Sequence, residues 1–148
     1  MSVIDYPFFN IDGKPKPALP VQLINPANGF EFSTWALIDT GADATVIPAY
    51  IANQLYHDIT HKDVITDRFW GMGGTSMVYY HTFRLNIFKS NSDGIVSNEK
   101  AIKARKRLYA VEKTLRTMVL GESDFLNRYI ITIDYPKKIL SLRKPHKK

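Results

Sequence analysis

The 148-residue chain is 45% apolar and 23% charged, which accommodates one domain with a substantial core and leaves little room for two. It contains no cysteine, so a disulfide framework, a thiolate metal site and a cysteine nucleophile are all excluded. The net charge of +6 is uneven: residues 1–98 carry −3 and residues 99–148 carry +9. No apolar run reaches the ~18 residues of a membrane span, and Met1–Tyr6 lacks a secretory signal's basic start and apolar centre, so a soluble cytoplasmic protein is expected.

In chain order, residues 1–17 form an opening segment with three aromatics (Tyr6, Phe8, Phe9), an Asp12-Gly13 turn and the prolines Pro15 and Pro17, with Pro20 just beyond. A strand is expected over residues 3–11, followed by an edge or connector, because proline cannot donate to a central ladder. Leu19 to Ile24 then reads as a strand and Asn25-Pro26-Ala27-Asn28-Gly29 as a turn, with Phe30 to Ile38 as the returning arm of a hairpin. That arm runs straight into Asp39-Thr40-Gly41. A carboxylate at the end of an apolar strand suits general acid or base chemistry, although Asp and Gly are also ordinary turn residues.

Past this turn, Thr45-Val46-Ile47 is a short buried strand, and Pro48 opens a short helix reaching Leu55, with Ile51, Ala52 and Leu55 at helical spacing. Residues 57–67 are polar; His57 and His61 are read as solvated histidines and not as a metal site. Three glycines within Gly71-Met72-Gly73-Gly74, flanked by strand-like residues, describe a hairpin with a permissive tip. The glycines lack the Gly-Lys-Ser/Thr continuation of a phosphate loop. A period-two strand follows from Tyr79 to Phe88. The basic stretch Asn98 to Arg107 is expected to continue a loop or form a short helix, within an insertion over about residues 89–107. Leu108 to Glu112 and Met118-Val119-Leu120 are strands, Ser123 is a candidate cap for a short helix through Arg128, and Tyr129–Tyr135 and Ile139–Arg143 make a final strand pair.

Three features therefore stand in one order: an apolar strand into Asp39-Thr40-Gly41-Ala42-Asp43, a glycine-tipped hairpin at 71–74, and Val119-Leu120-Gly121 before a short helix. Together they resemble the retropepsin family of aspartic proteases, the retroviral proteases and their single-domain cellular and bacterial relatives, over residues 18–142. The resemblance implies an all-β, mainly antiparallel acid-protease fold with one or two short helices. It implies an endopeptidase that needs no metal or organic cofactor. An aspartic protease requires two carboxylates sharing a proton, and the chain has one Asp-Thr-Gly with an apolar approach. Ser92-Asp93-Gly94 lacks such an approach. The second carboxylate is then Asp39 of another copy, and the active species is an obligate homodimer with an isologous interface.

Carried over residue by residue, the resemblance makes Asp39 the catalytic acid/base, Thr40 a brace beneath the dyad, and Gly41 the point of close approach to substrate. Ala42, Asp43, Val46 and Ile47 would bind the substrate, and Trp70, Gly71, Met72, Gly73 and Gly74 would form a flap over an extended peptide. Ile38, Val46, Ile47, Trp70 and Met72 are the expected apolar walls. Residues 1–17 are a candidate dimer-interface strand, and 143–148 a basic tail. In one departure, Glu122 stands where retroviral members usually place an arginine that pairs with the second aspartate, leaving Arg128 or Arg116 as candidates for Asp43. Two other functions compete: a dimeric peptide-binding or scaffolding module with little turnover, and nucleic-acid binding through the basic C-terminal third.

Overall fold

The computed structural model describes residues 3–71, 74–91 and 93–146. Met72 and Gly73 of the expected flap tip, Ser92 of the second Asp-Gly motif, and Lys147 and Lys148 of the basic tail lie outside the described residues. Among those described are thirteen strands, one α-helix and one 3-10 turn. None of the described helices is long and apolar enough to cross a membrane.

The first hairpin joins β4 (Ala18–Ile24) to β5 (Glu31–Ile38) in antiparallel register, with Ala18 opposite Leu37 and Ile24 opposite Glu31. Its turn is built as its composition demands. Asn25 accepts the Ala27 N–H at 3.0 Å, Asn28 accepts the Phe30 N–H at 2.9 Å, and Gly29 takes φ +77°, a region open to glycine at no steric cost. Both asparagine amides also donate to the Leu55 carbonyl, tying this turn to the end of α1 (Ala49–Gln54).

Strand β8 (Gly74–Ser90) is seventeen residues long and organises the largest sheet. It pairs with β4 and β7 (Thr66–Gly71) and, along its other edge, first with β10 (Arg107–Glu112) and then with β9 (Val96–Lys103). The path β10, β6 (Val46–Pro48), β11 (Met118–Leu120), β5, β4, β8 returns to β10. The sheet thus closes on itself, which removes most of its free edges. Leu19, Val21, Leu23, Ile47, Phe83, Leu85 and Leu120 fill its interior at 0–1% exposure, each contributing about 1.5–3 kcal/mol by leaving water.

A second sheet, β1 (Ile4–Pro7), β13 (Ile139–Arg143) and β12 (Ile130–Asp134), packs beside the first. Tyr6 plugs the join: fully buried, it donates its hydroxyl to the Phe88 carbonyl at 2.8 Å. The expected strand over residues 3–11 is broken at Phe8. Its first part pairs with β13, and its second, β2 (Phe9–Ile11), forms a separate hairpin with β3 (Lys14–Lys16). That hairpin is held by Phe9 stacked on Trp35 at 4.2 Å.

Two local expectations are corrected. The basic stretch from Asn98 is neither loop nor helix, because most of it lies in β9. Where β10 stops along β8, β9 takes over the open ladder and turns Ile102 into the core, at 4% exposure. Register shifts at Ile87/Phe88 and Phe88/Ser90 accompany this pairing. The segment after Ser123 is a 3-10 turn over Leu126–Arg128, and no side chain caps it. The Ser123 N–H instead donates to the Asp43 carbonyl at 2.8 Å.

Candidate active site

Strand β5 carries Asp39 to its position. Strand β11 lies parallel to β5, with Leu120 opposite Ile38, and pairs on its other side with β6 through Val119 and Val46. The two arms of the Asp39 turn are therefore held apart by a third strand. The Asp39 N–H donates to the Leu120 carbonyl at 3.1 Å, continuing that ladder past the strand end. Within the turn, the Gly41 N–H reaches Asp39 Oδ1 at 3.0 Å and the Ala42 N–H reaches the Asp39 carbonyl at 3.1 Å. A carboxylate fixed by a backbone donor is preorganised in one rotamer. Asp39 itself is half-buried, while Thr40, Gly41 and Asp43 are exposed.

The far side of the turn is anchored more heavily. The Ala42 and Asp43 carbonyls accept the N–H groups of Glu122 and Ser123 at 2.9 and 2.8 Å. Fully buried Thr45 is gripped by Asp124 and accepts the Gly121 N–H at 3.1 Å. Gly121 packs so closely that an added Cβ would lie 2.1 Å from the Ala44 carbonyl carbon. Among the described residues neither Arg116 nor Arg128 comes within salt-bridge distance of Asp43. The Asp124 carboxylate, through Thr45, is what braces the end of this turn.

Asp39, Ala42, Asp43 and Val46 line a cleft of about 480 Å³, whose other wall is the β7–β8 hairpin. That hairpin pairs continuously from Thr66 opposite Tyr79 to Gly71 opposite Gly74, and Gly74 takes φ +105°. Its two faces alternate. Phe69, Ser76, Val78 and Tyr80 turn towards the cleft, whereas Trp70, opposite Thr75, stands at the rim with 86% of its surface exposed. The aromatic wall expected from Trp70 is shared with Phe69, and both line the cleft. Alternation removes Ile47: its neighbour Val46 lines the cleft, and Ile47 points into the core with no exposure. Val78, Leu115 and Val119 complete the apolar lining, and Glu112 and Asp43 bring carboxylates to it. Tyr80 donates its hydroxyl to Asp67 at 3.3 Å, and burial, then the Asp67 charge, raises its pKa.

No group of three metal-ligating side chains occurs among the described residues. His57 is not a solvated loop histidine: its ring lies 4.4 Å from Phe83 and 5.0 Å from His81, and its Nε2 is buried without a hydrogen-bond partner.

This closed β-sheet architecture is matched among solved structures. A retropepsin-like aspartic protease from Rickettsia conorii superposes with a TM-score of 0.54 at 19% identity, covering 95% of this chain and 91% of that one. The fold is retropepsin-like. EIAV protease, solved with the inhibitor HBY-793, is a looser match: TM-score 0.42 at 19% identity, over 76% of this chain and 88% of that one. No protein-family model and no curated protein sequence matches the chain. Within the retropepsin-like fold, sequence reading found Asp39, Gly41, Ala42, Asp43, Val46 and Trp70 at the cleft, and missed Phe69, Glu112 and, behind the turn, Asp124. Counting faces back from the glycine tip would have found Phe69; nothing local links Asp124 to Thr45, 79 residues away.

Proposed function

We propose that the chain is an aspartic endopeptidase that works as a homodimer. One observation carries this reading: Asp39 is held by the Gly41 N–H at the floor of a cleft with largely apolar walls, in a chain that offers one such carboxylate. Two Asp39 side chains brought together by a two-fold axis would share a proton, since neighbouring like charges resist simultaneous ionisation. The ionised member takes a proton from water as that water attacks the scissile carbonyl. The protonated member hydrogen-bonds to the carbonyl oxygen and stabilises the developing negative charge. Breakdown of the tetrahedral intermediate returns a proton to the leaving amine. Thr40, exposed at the base of the turn, would face its counterpart across the axis, and the β7–β8 hairpin would close over an extended peptide.

The test is Asp39→Asn. The substitution is expected to leave the fold and the dimer intact while abolishing cleavage of an apolar peptide library. Cleavage persisting in the purified variant rules the mechanism out. The exposed Asp43, without a cationic partner among the described residues, favours a second reading, a dimer that binds peptides with little turnover. Tight, Asp39-dependent binding of a pepstatin-type inhibitor together with cleavage decides for the enzyme.

A further inference from the structure

The cleft wall formed by β8 and β10 presents Ser76, Val78, Tyr80 and one carboxylate, that of Glu112. Glu112 ends β10 directly opposite Val78 of β8, and paired residues share a face. Val78 looks into the cleft, so Glu112 does too, and both line it. The carboxylate is held in place: the Thr114 N–H and hydroxyl donate to its Oε1 at 2.8 and 2.7 Å, and the hydroxyl also lies 3.0 Å from Oε2. These contacts restrict the side chain without neutralising it, and no Lys or Arg among the described residues lies within 4.0 Å. Arg68 of the hairpin also lines the cleft, but it sits in register with Met77 on the strand face opposite to that of Val78 and makes no ion pair with Glu112.

We propose that Glu112 is a specificity-determining residue that selects a lysine or arginine side chain in the bound peptide. This rests on the cleft being a peptide site, as proposed above. A long cationic side chain suits the position, because its methylene stem covers the apolar lining of Val46, Leu115 and Val119 while its head reaches the carboxylate. The Glu112 oxygens keep acceptor capacity beyond the Thr114 contacts, and a fixed carboxylate loses little entropy on pairing. In a two-fold dimer Glu112 occurs twice, so the preference falls at two peptide positions symmetric about the scissile bond.

The experiment separates binding from turnover. A lysine is moved through each position of an otherwise apolar extended peptide, with norleucine as its uncharged match, and binding to the Asp39→Asn protein is measured by fluorescence anisotropy. At one symmetric pair of positions the lysine peptide should bind about tenfold tighter. The ratio should fall to about one in Asp39→Asn/Glu112→Gln and shrink with salt. In the Asp39-intact protein, kcat/KM should show the same preference, and Glu112→Gln should lower kcat/KM about tenfold more for the lysine peptide than for the norleucine peptide. A ratio near one at every position, or a lysine preference unchanged in Glu112→Gln, overturns the proposal. Lysine-selective binding without cleavage by the Asp39-intact protein keeps it and overturns the endopeptidase reading instead. Cleavage without lysine preference does the reverse.

Discussion

Thr45 and Asp124, 79 residues apart in sequence, make three hydrogen bonds to each other: Thr45 Oγ1 to Asp124 Oδ1 at 2.7 Å, and the Thr45 N–H shared between both oxygens at 3.0 and 3.1 Å. Thr45 also accepts the Gly121 N–H, and the Asp124 carbonyl accepts from Arg107 Nη1 at 3.1 Å. The Asp39 turn, the start of β6, the end of β11 and the start of β10 meet at the Thr45–Asp124 pair. Removing the carboxylate strands a buried N–H and hydroxyl. Asp124→Ala is therefore expected to cost about 2–3 kcal/mol of unfolding free energy and Asp124→Asn about 1 kcal/mol, because the amide keeps one acceptor oxygen. Urea denaturation measures both; an Asp124→Ala midpoint equal to wild type would show that the contact is incidental.

Gly121 is the second fixed point of the same junction. An added Cβ meets the Ala44 backbone at 2.1–2.6 Å, and backbone cannot rotate away as a side chain can. Gly121→Ala is predicted to cost at least about 3 kcal/mol, or to prevent folding. Its recovery as a soluble protein with an unshifted melting temperature would contradict the packing described.

These two contacts also show where the sequence was readable and where it was not. The β4–β5 hairpin, the Asp39 turn and the helix after Pro48 rest on local signals: alternation, Asn-Gly turn chemistry and a proline at a helix start. All three were legible. Glu112 and Asp124 depend on strand neighbours distant in sequence, and no local pattern announces them. β9 was misread because its pairing with β8 shifts register twice and its lysines obscure the inward-facing Ile102. Ile47 failed for a narrower reason. It lies in a correctly expected strand and was assigned to the wrong face by one residue.

The face assignment in the hairpin is testable once cleavage is assayed. Phe69 is half-buried against the cleft and Trp70 stands at its rim with 86% of its surface exposed, so Phe69→Ala should lower kcat/KM by about tenfold through lost substrate contact. Trp70→Ala should change it by less than about threefold. The opposite order would mean that the hairpin turns over when it closes on a peptide.

His57 sets the acid limit of the fold. Burial, then the nearby His81, lowers its pKa from 6.5 to about 4. The Nε2 of His81 lies 3.0 Å from the Ile59 carbonyl, which can only accept, so that nitrogen carries a proton and donates. Between pH 6.5 and about 4 the unfolded chain binds a proton at residue 57 that the folded chain refuses, so stability falls as pH drops through this window and levels off below it. With discount for partial exposure, the loss from this site is about 2 kcal/mol. His57→Phe keeps a ring against Phe83 and cannot be protonated. Its urea midpoint should therefore fall less than that of wild type between pH 7 and pH 4, whatever other groups contribute in common. Parallel pH profiles would exclude His57 as the cause. The same titration constrains the proposed chemistry, because a dyad that shares a proton works at acidic to near-neutral pH. The fold that carries it weakens towards pH 4, so activity is expected to be greatest on the near-neutral side of that range.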